Sequence, residues 1–153
     1  MIKFNYKTLY KGSISYCSQK AWLYSASLKE NIIFASTFEK ERYNKVIEAC
    51  CLLSDLDQFE NQDRKIVMQG GVNFSGGQQK RINLARCAYK DADIYILDDP
   101  LGSIDNNVRT EIFKRLISNK NGLLKEKVIF KVMDIDSEVD LLWLQKKKRV
   151  LFK

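Results

Sequence analysis

Apolar residues recur at helical spacing in four parts of this chain, and each part predicts a helix with one buried face. The four sets are Leu28, Ile32 and Ile33; Tyr43, Val46, Ile47 and Cys50; Ile82, Ala85 and Tyr89; and Val108, Ile112, Phe113 and Leu116. The first helix is expected from Ser27 onward, the third near Ser75, and the fourth after a capping residue, Asp105. The polar residues expected to face away from the core of the third helix are Gln79, Lys80, Asn83 and Lys90.

Shorter apolar runs predict strands. Residues 12–17 alternate in polarity, which is typical of a short strand, and residues 128–130 predict another. Residues 94–97 form an unbroken apolar run that ends at two acids and a proline, as in a strand buried on both faces of a parallel sheet. Residues 141–144 and 150–152 predict a terminal hairpin. Because helices alternate with apolar strands, the pattern predicts a single α/β layered domain.

The length and composition agree with one globular domain. The chain has 153 residues, of which 45% are hydrophobic and 29% charged, and these values exclude the disordered and low-complexity classes. No apolar run approaches the roughly 18 residues needed to cross a bilayer, and the first residues lack the apolar segment of a signal peptide. We therefore expect a chain that faces the cytosol and contains no transmembrane segment.

The formal net charge of +7 suggests a nucleic-acid partner as one hypothesis. Most Lys and Arg residues, however, are interspersed with acids, and the dense run at residues 146–149 lacks interleaved aromatic residues. A solvated turn is therefore favoured, and no nucleic-acid partner is expected. The four cysteines show no CxxC spacing and the chain has no histidine, so reduced free thiols are expected rather than a mixed Cys/His zinc site.

A serine followed by two glycines opens the third predicted helix. Glycines let backbone N–H groups approach an anion closely, and the hydroxyl of Ser75 lies beside the positive end of the helix dipole. Residues 73–81 therefore indicate a phosphate-binding element. The alternative is an ordinary serine cap after a loop with two permissive glycines, and this segment alone does not decide between the two.

The second candidate element is Asp98, at the carboxyl end of the predicted strand 94–97. Ligands of α/β folds bind at that edge of the sheet, where a carboxylate can hold Mg²⁺ through water. One polar residue at a strand end is ordinary, but two adjacent acids, Asp98 and Asp99, after four apolar residues are less so. Gln78 and Asp98 are 20 positions apart (98 minus 78), just enough for one helix, one turn and one strand.

These two elements together resemble a known family. Residues 75–105 are similar to the signature, Walker B and D-loop sequence of ATP-binding-cassette (ABC) proteins. Residues 92–101 look like the first nucleotide-binding domain of the multidrug-resistance-associated (C) subfamily, and residues 16–22 are similar to its Q-loop. Further similar segments are residues 28–34, 39–53 and 71–73, so that the resemblance covers roughly residues 12–130.

The resemblance implies the α/β fold of a P-loop NTPase-like ABC domain, with a RecA-like parallel sheet and a helical signature subdomain. Residues 1–153 would form part of such a domain, truncated before the Q-loop and lacking the N-terminal Walker A part. Within it, residues 27–90 would form the helical subdomain, and residues 12–20 and 91–153 would belong to the core sheet.

The resemblance also implies ligands and partners. In the family, two such domains form a head-to-tail sandwich around ATP and Mg²⁺, and hydrolysis is coupled to transport through the coupling helices of a transmembrane domain. The partner is thus a second nucleotide-binding domain with an intact Walker A motif. The residues that would touch the γ-phosphate held by this partner are Ser75, Gly76, Gly77 and Gln78.

Four other residues receive roles from the same resemblance. Gln19 would link Mg²⁺ to the coupling helices, and Asp98 would lie beside Mg²⁺ in the chain's own site. Asp99 stands at the position of the catalytic glutamate, which is degenerate in the first site of this subfamily. Asp105 would belong to the loop that couples the two sites.

Several departures from the family limit the activity that the resemblance implies. The chain contains no G-x-x-x-x-G-K-[ST] sequence, so nucleotide binding in its own site is expected to be severely weakened. The switch histidine is replaced near Val132, and Phe74 stands where the family usually has leucine. Asp99 reaches about one methylene less far than glutamate, which general-base geometry tolerates poorly. We expect little or no hydrolysis by the chain alone, and incomplete cover on one face of the strand at residues 94–97.

Three hypotheses about function follow. The first is a partial nucleotide-binding domain at the cytoplasmic face of a membrane transporter. The second is a non-catalytic pseudo-ATPase module that binds transporter helices or a sister domain, which the region of Gln19 and Trp22 favours. The third is a soluble cassette ATPase of the DNA-repair or translation type, which the basic isoelectric point suggests.

Overall fold

The computed structural model describes residues 12–118 and 120–132, with side chains as far as Phe130. The strands are β1 (Ile14–Cys17), β2 (Ala26–Ser27), β3 (Ile66–Val67), β4 (Ile94–Asp98) and β5 (Val128–Val132). The helices are α1 (Leu28–Ile33), α2 (Lys40–Ala49), α3 (Leu53–Gln58), α4 (Gly76–Tyr89) and α5 (Asn106–Ile112). The predicted terminal hairpin and the basic run at residues 146–149 lie outside the described residues.

A parallel sheet of three strands, in the order β1-β4-β5, forms one layer. Cys17 on β1 lies opposite Leu97 on β4, and Asp98 lies opposite Val132 on β5, so the carboxyl ends of the strands meet at one edge. The helices pack beside this sheet, and a short antiparallel ladder joins β2 to β3. The predicted α/β class is confirmed. No helix among residues 12–118 and 120–132 combines the length and the apolar character that a membrane crossing requires.

The predicted helices are present, and their apolar stripes form the core. The fully buried residues among those predicted are Leu28, Ile32, Val46, Cys50, Ile82, Ala85, Ile112 and Leu116. Ser27 caps α1 with its hydroxyl, while Glu30 bonds back to the backbone N–H of Ser27, so this helix begins with a complete capping box. Asp105 caps α5 as expected.

One expectation for α4 is wrong. Asn83, which was predicted to face away from the core, is only 6% exposed. Its amide donates to the carbonyl of Ser18 at 3.1 Å and to the sulfur of Cys17, so it joins the helix to the end of β1. The helix is surrounded on most of its circumference by α1, α2 and β1, and a buried amide is tolerated there because it has partners.

The two faces of the sheet are covered unequally. On β4, Tyr95 and Leu97 are buried, whereas Ile94 and Ile96 are half-buried. On β1, Ile14 and Tyr16 are exposed. The incomplete cover expected on one face of this sheet is therefore seen, and the expectation of burial on both faces of β4 holds for one face only.

Some elements have no clear signal in the sequence. Helix α3 is six residues long, β2 and β3 have two residues each, and a π-helical turn over Phe113–Ile117 extends α5. Elements of this length carry too few residues to show a period. The four cysteines all lie in the described region and are free, as expected.

Candidate nucleotide-contact site

The start of α4 is fixed by its own side chains. Ser75 has extended backbone angles, and its hydroxyl oxygen accepts a hydrogen bond from the N–H of Gln78 at 3.2 Å. The side-chain oxygen of Gln78 accepts in return from the N–H of Ser75 at 2.9 Å. This capping box leaves Ser75 exposed and its hydroxyl hydrogen free to donate outward.

Two glycines occupy the first turn of α4, although neither the backbone angles nor the packing among the described residues requires glycine there. The left-handed backbone that favours glycine is not found at Gly76 or Gly77. A Cβ atom on Gly76 would meet nothing within 4 Å, and one on Gly77 would come no closer than 3.8 Å to Ser103. A glycine in a helix interior costs about 1 kcal/mol relative to alanine, and a glycine in the first turn costs part of this. The N–H groups of Gly76 and Gly77 have no acceptor within the helix, so this surface can receive an anion at close range.

Gln78 contacts a largely buried ion pair that the sequence did not predict. Its amide donates to the carboxylate of Asp55 on α3 at 2.9 Å. The same carboxylate accepts from the guanidinium of Arg81, one turn further along α4, at 3.1 Å. Arg81 and Asp55 are both largely buried. The amide oxygen and the amide nitrogen of Gln78 therefore both form hydrogen bonds within the chain, and these bonds stabilise the start of α4.

The carboxyl edge of the sheet carries Asp98 as the last residue of β4. The phenol of Tyr16 on β1 donates to its carboxylate at 2.9 Å, and this hydrogen bond is the main cause that raises the pKa of Tyr16. Gln19 lies two residues beyond the end of β1, at the same edge, and is exposed. Among the described residues no hydrogen bond joins Gln19 to Asp98.

Asp99 has different surroundings from its neighbour. Its backbone is in the left-handed region, with φ of 40°. The ammonium group of Lys80 on α4 donates to the carbonyl oxygen of Asp99 at 2.9 Å and to its carboxylate at 3.2 Å. The two adjacent acids thus contact different elements, Asp98 contacting β1 and Asp99 contacting α4.

The loop of residues 99–105 lies beside the helix start. Ser103 adopts a left-handed backbone with φ of 60°, and its carbonyl faces Gly77. The loop ends at Asp105, whose carboxylate accepts from the N–H of Asn107 at 2.9 Å. The structure therefore brings together Ser75, the two glycines and the loop from Asp99 to Asp105.

The residues present fit a magnesium ion held together with a nucleotide. Among the described residues there is no group of three or more metal-ligating side chains. Mg²⁺ in nucleotide sites takes one or two protein oxygens and obtains the others from phosphates and water. The carboxylate of Asp98 and the amide oxygen of Gln19 are oxygen donors of that kind at one edge of the sheet.

Comparisons with known proteins show which family the chain belongs to. The family model described as ABC transporter matches residues 2–102. The mouse protein "ATP-binding cassette sub-family C member 2" is 47% identical over 117 residues, which are 76% of this chain and 8% of that protein. The human "ATP-binding cassette sub-family C member 4" is 46% identical over 117 residues, or 76% of this chain and 9% of that protein.

A relative from Dictyostelium discoideum, "ABC transporter C family member 12", is 44% identical over 122 residues, covering 80% of this chain and 9% of that protein. The chain therefore spans less than a tenth of the length of these relatives. The family model matches about two thirds of the chain, and the matched region contains the helix start and both acids. The relatives named here are members of subfamily C, and the chain belongs to the ABC transporter family.

Proposed function

We propose that the chain is part of a nucleotide-binding domain of a membrane transporter and completes an ATP site whose phosphate loop belongs to a second domain. Ser75, Gly76 and Gly77 supply a hydroxyl and backbone N–H groups to the γ-phosphate. Gln78 supports them through its contacts with Ser75 and Asp55. Residues 27–90 serve as the helical subdomain, while the described residues within 12–20 and 91–153 belong to the part of the domain that contains the core sheet.

The observation that carries this proposal is the pair of glycines at the start of α4. Neither residue has a positive φ, and neither has a neighbour that a methyl group would strike. Two glycines in a first turn weaken the helix without a gain in packing that would compensate for them. Their presence is explained if a bulky anion must approach the backbone from outside the chain.

The chain's own site, at the carboxyl edge of the sheet, is proposed to hold Mg²⁺ and is distinct from the partner's site that Ser75 completes. Asp98 and Gln19 supply the protein oxygens, and Asp105 belongs to the loop that links this site to its neighbour. When bound, Mg²⁺ neutralises charge on the phosphates. Asp99 stands at the general-base position, but its carboxylate is paired with Lys80. We therefore expect little or no hydrolysis by the chain alone.

Two exposed aromatic residues and a half-buried tyrosine support a membrane-domain partner. Trp22, Tyr24 and Phe34, called here the aromatic patch, pack against one another with ring centroids 5.6 to 6.0 Å apart. Trp22 and Phe34 remain 57% and 52% exposed. Trp22 and Tyr24 follow the proposed Q-loop residue Gln19 along the chain, and Phe34 directly follows α1. The patch offers an apolar surface to the coupling helices of a transmembrane domain. The proposed location is the cytoplasmic face of a membrane.

The aromatic patch also favours a second candidate function, a non-catalytic interaction module. Phe34 has φ of 49°, a backbone conformation that costs a residue other than glycine about 1 kcal/mol or more. About half of the Phe34 side chain stays exposed although its backbone is strained, which favours a contact outside the chain. Under this second candidate, the patch binds transporter helices and the start of α4 has no role in ATP turnover.

One experiment separates the two candidates. The chain is mixed with a nucleotide-binding domain of a subfamily C relative that has an intact phosphate loop, and ATP turnover is measured against the concentration of the chain. We expect stimulation by the native chain and at least a tenfold loss with Ser75→Ala, because the hydroxyl and the cap are both removed.

The matched control is Ser27→Ala. Ser27 forms the same capping box at the start of α1, so its loss costs a similar amount of stability, about 1 kcal/mol, without touching the proposed phosphate contact. Equal stimulation by the Ser75→Ala and Ser27→Ala variants would contradict the proposal and favour the interaction module.

A further inference from the structure

We infer that Lys80 is a positioning residue that holds the Asp99 carboxylate in place. The salt bridge between them, called here the anchor, connects the start of α4 to the loop of residues 99–105. The consequence for ATP rests on the proposed function, whereas the anchor itself is a property of the chain alone. Asp99 in this arrangement is a structural counter-ion of α4 in place of a general base.

The ammonium group of Lys80 makes two contacts with Asp99, and little of the Lys80 side chain is exposed to water. Its ammonium group donates to both the main-chain oxygen and the carboxylate of Asp99, at 2.9 and 3.2 Å. The Lys80 side chain is only 15% exposed. A partly buried lysine whose charge meets one carboxylate is held there, because releasing either group would leave the other charge poorly solvated.

Gly102 provides the space in which the carboxylate lies. A Cβ atom on Gly102 would fall 2.0 Å from the Oδ2 atom of Asp99 and 2.6 Å from its Cγ atom. No side chain larger than hydrogen fits there while the Asp99 carboxylate stays in place. The left-handed backbone of Asp99 turns its carboxylate toward Lys80 on α4. The carboxylate of Asp98 instead accepts a hydrogen bond from Tyr16 on β1.

The anchor links the two parts of the surface proposed to face the partner's nucleotide. Lys80 lies in the second turn of α4, after Ser75 and the two glycines, and Asp99 opens the loop that passes Gly77 at Ser103. A salt bridge between these segments makes the helix start and the loop move as one unit. Sequence reasoning missed the role of Lys80, which was expected only to face away from the core.

Three variants of the full chain test the anchor in different ways. Lys80→Met removes the cation, Asp99→Asn removes the carboxylate charge, and Gly102→Ala displaces the carboxylate without changing any charge. Hydrogen exchange is measured at the amides of residues 76–82 and 99–105. We expect about fivefold faster exchange in both segments for each variant, with no further increase in the double variant Lys80→Met/Asp99→Asn.

Two further variants serve as controls. Lys80→Arg keeps a cation that can pair with the carboxylate and should keep exchange within about twofold of the native chain. Lys40→Met makes the same charge change at an exposed position of α2 and should leave both segments unchanged. Exchange in α2 and the midpoint of unfolding show whether any variant has lost its global fold.

The ATP readout separates this inference from the proposed function. If the chain stimulates the partner domain, Lys80→Met and Gly102→Ala should raise the ATP concentration for half-maximal turnover by about threefold or more. Faster exchange without any stimulation by the native chain would support the anchor and contradict the proposed function. Exchange that is unchanged in Lys80→Met and Gly102→Ala, or additive in the double variant, would overturn the anchor.

Discussion

Two neighbouring aspartates show how much the surroundings of a residue decide its role. Asp98 ends β4 and accepts the phenol of Tyr16, whereas Asp99 turns through a left-handed backbone and pairs with Lys80. The sequence distinguishes the two residues only by their order. Their chemistry differs because one belongs to the edge of a sheet and the other to a loop beside a helix.

A titration tests the first of these contacts. The hydrogen bond to Asp98 raises the pKa of Tyr16, so the contribution of this bond to stability is present below the ordinary tyrosine pKa of about 10 and is lost as the pH rises through the higher folded value. Asp98→Asn should lower the pKa of Tyr16 toward its ordinary value. The measurement is the chemical shift of the Tyr16 ring against pH.

The control for this titration is Asp99→Asn. It removes the charge of the adjacent residue, but Asp99 makes no hydrogen bond to Tyr16, so the pKa of Tyr16 should stay close to that of the native chain. An equal shift in both variants would show that general charge, and not the hydrogen bond, sets the pKa of Tyr16.

Several residue roles could be predicted from the sequence, and others could not. Ser75 as a cap and Asp98 as a strand end follow from local rules that need only a few neighbours. Asn83 and Lys80 were expected to avoid the core, but their partners are distant along the chain, at Ser18 and Asp99. A long-range partner leaves no trace in the spacing of nearby residues, and this is why these contacts were missed.

At the scale of elements, α4 is the centre of the molecule. It packs against α1, α2 and β1, and its first turns also contact α3 and the loop after β4. Most of its polar side chains therefore end in specific contacts. The ion pair of Arg81 with Asp55 is the most buried ion pair among the described residues, and it joins the short helix α3 to α4.

We expect Asp55→Ala to destabilise the fold by about 3 kcal/mol, because a largely buried guanidinium would lose its counter-ion and Gln78 would lose its acceptor. Urea unfolding followed by circular dichroism measures this change. Asp57→Ala, at an exposed position of the same helix, should change the stability by no more than about 0.5 kcal/mol. Similar costs for the two variants would show that the buried pair adds no stability.

The elements that could be predicted are those long enough to show a period. The apolar stripes of α2 and α4 and the apolar run of β4 are long enough to be recognised in the sequence. The 20 positions from Gln78 to Asp98 (98 minus 78) are filled by one helix and one strand, as expected. Helix α3 and the β2–β3 ladder could not be predicted, since two to six residues are too few. The π-helical turn after α5 depends on tertiary packing as well.

At the scale of the whole molecule, the nucleotide-contact site and the aromatic patch are separate surfaces of one chain. The first has free backbone donors, and the second has exposed apolar rings. Such different chemistry predicts different partners: a triphosphate held by another domain for the first, and helices of a membrane domain for the second.

A substitution at Phe34 should separate binding from stability. Phe34→Gly relieves a left-handed backbone and removes an exposed ring, so we expect the free energy of unfolding to change by less than about 1 kcal/mol. Association with the coexpressed membrane domain of a subfamily C relative should fall at least tenfold. Val72→Ala, at another exposed apolar position, is the control and should bind normally. Normal binding by Phe34→Gly would contradict the role of the aromatic patch.

Arg86 connects the aromatic patch to α4, the helix that also begins at the nucleotide-contact site. Near the carboxyl end of α4, its guanidinium donates to the carbonyl of Asn31 at 2.6 Å and lies 5.2 and 5.4 Å from the ring centres of Trp22 and Phe34. Ser75 begins the same helix 11 positions earlier (86 minus 75), a distance of about 16 Å along its axis. Because both surfaces contact one continuous α-helix, we expect a displacement of the aromatic rings to shift the Ser75 hydroxyl as well.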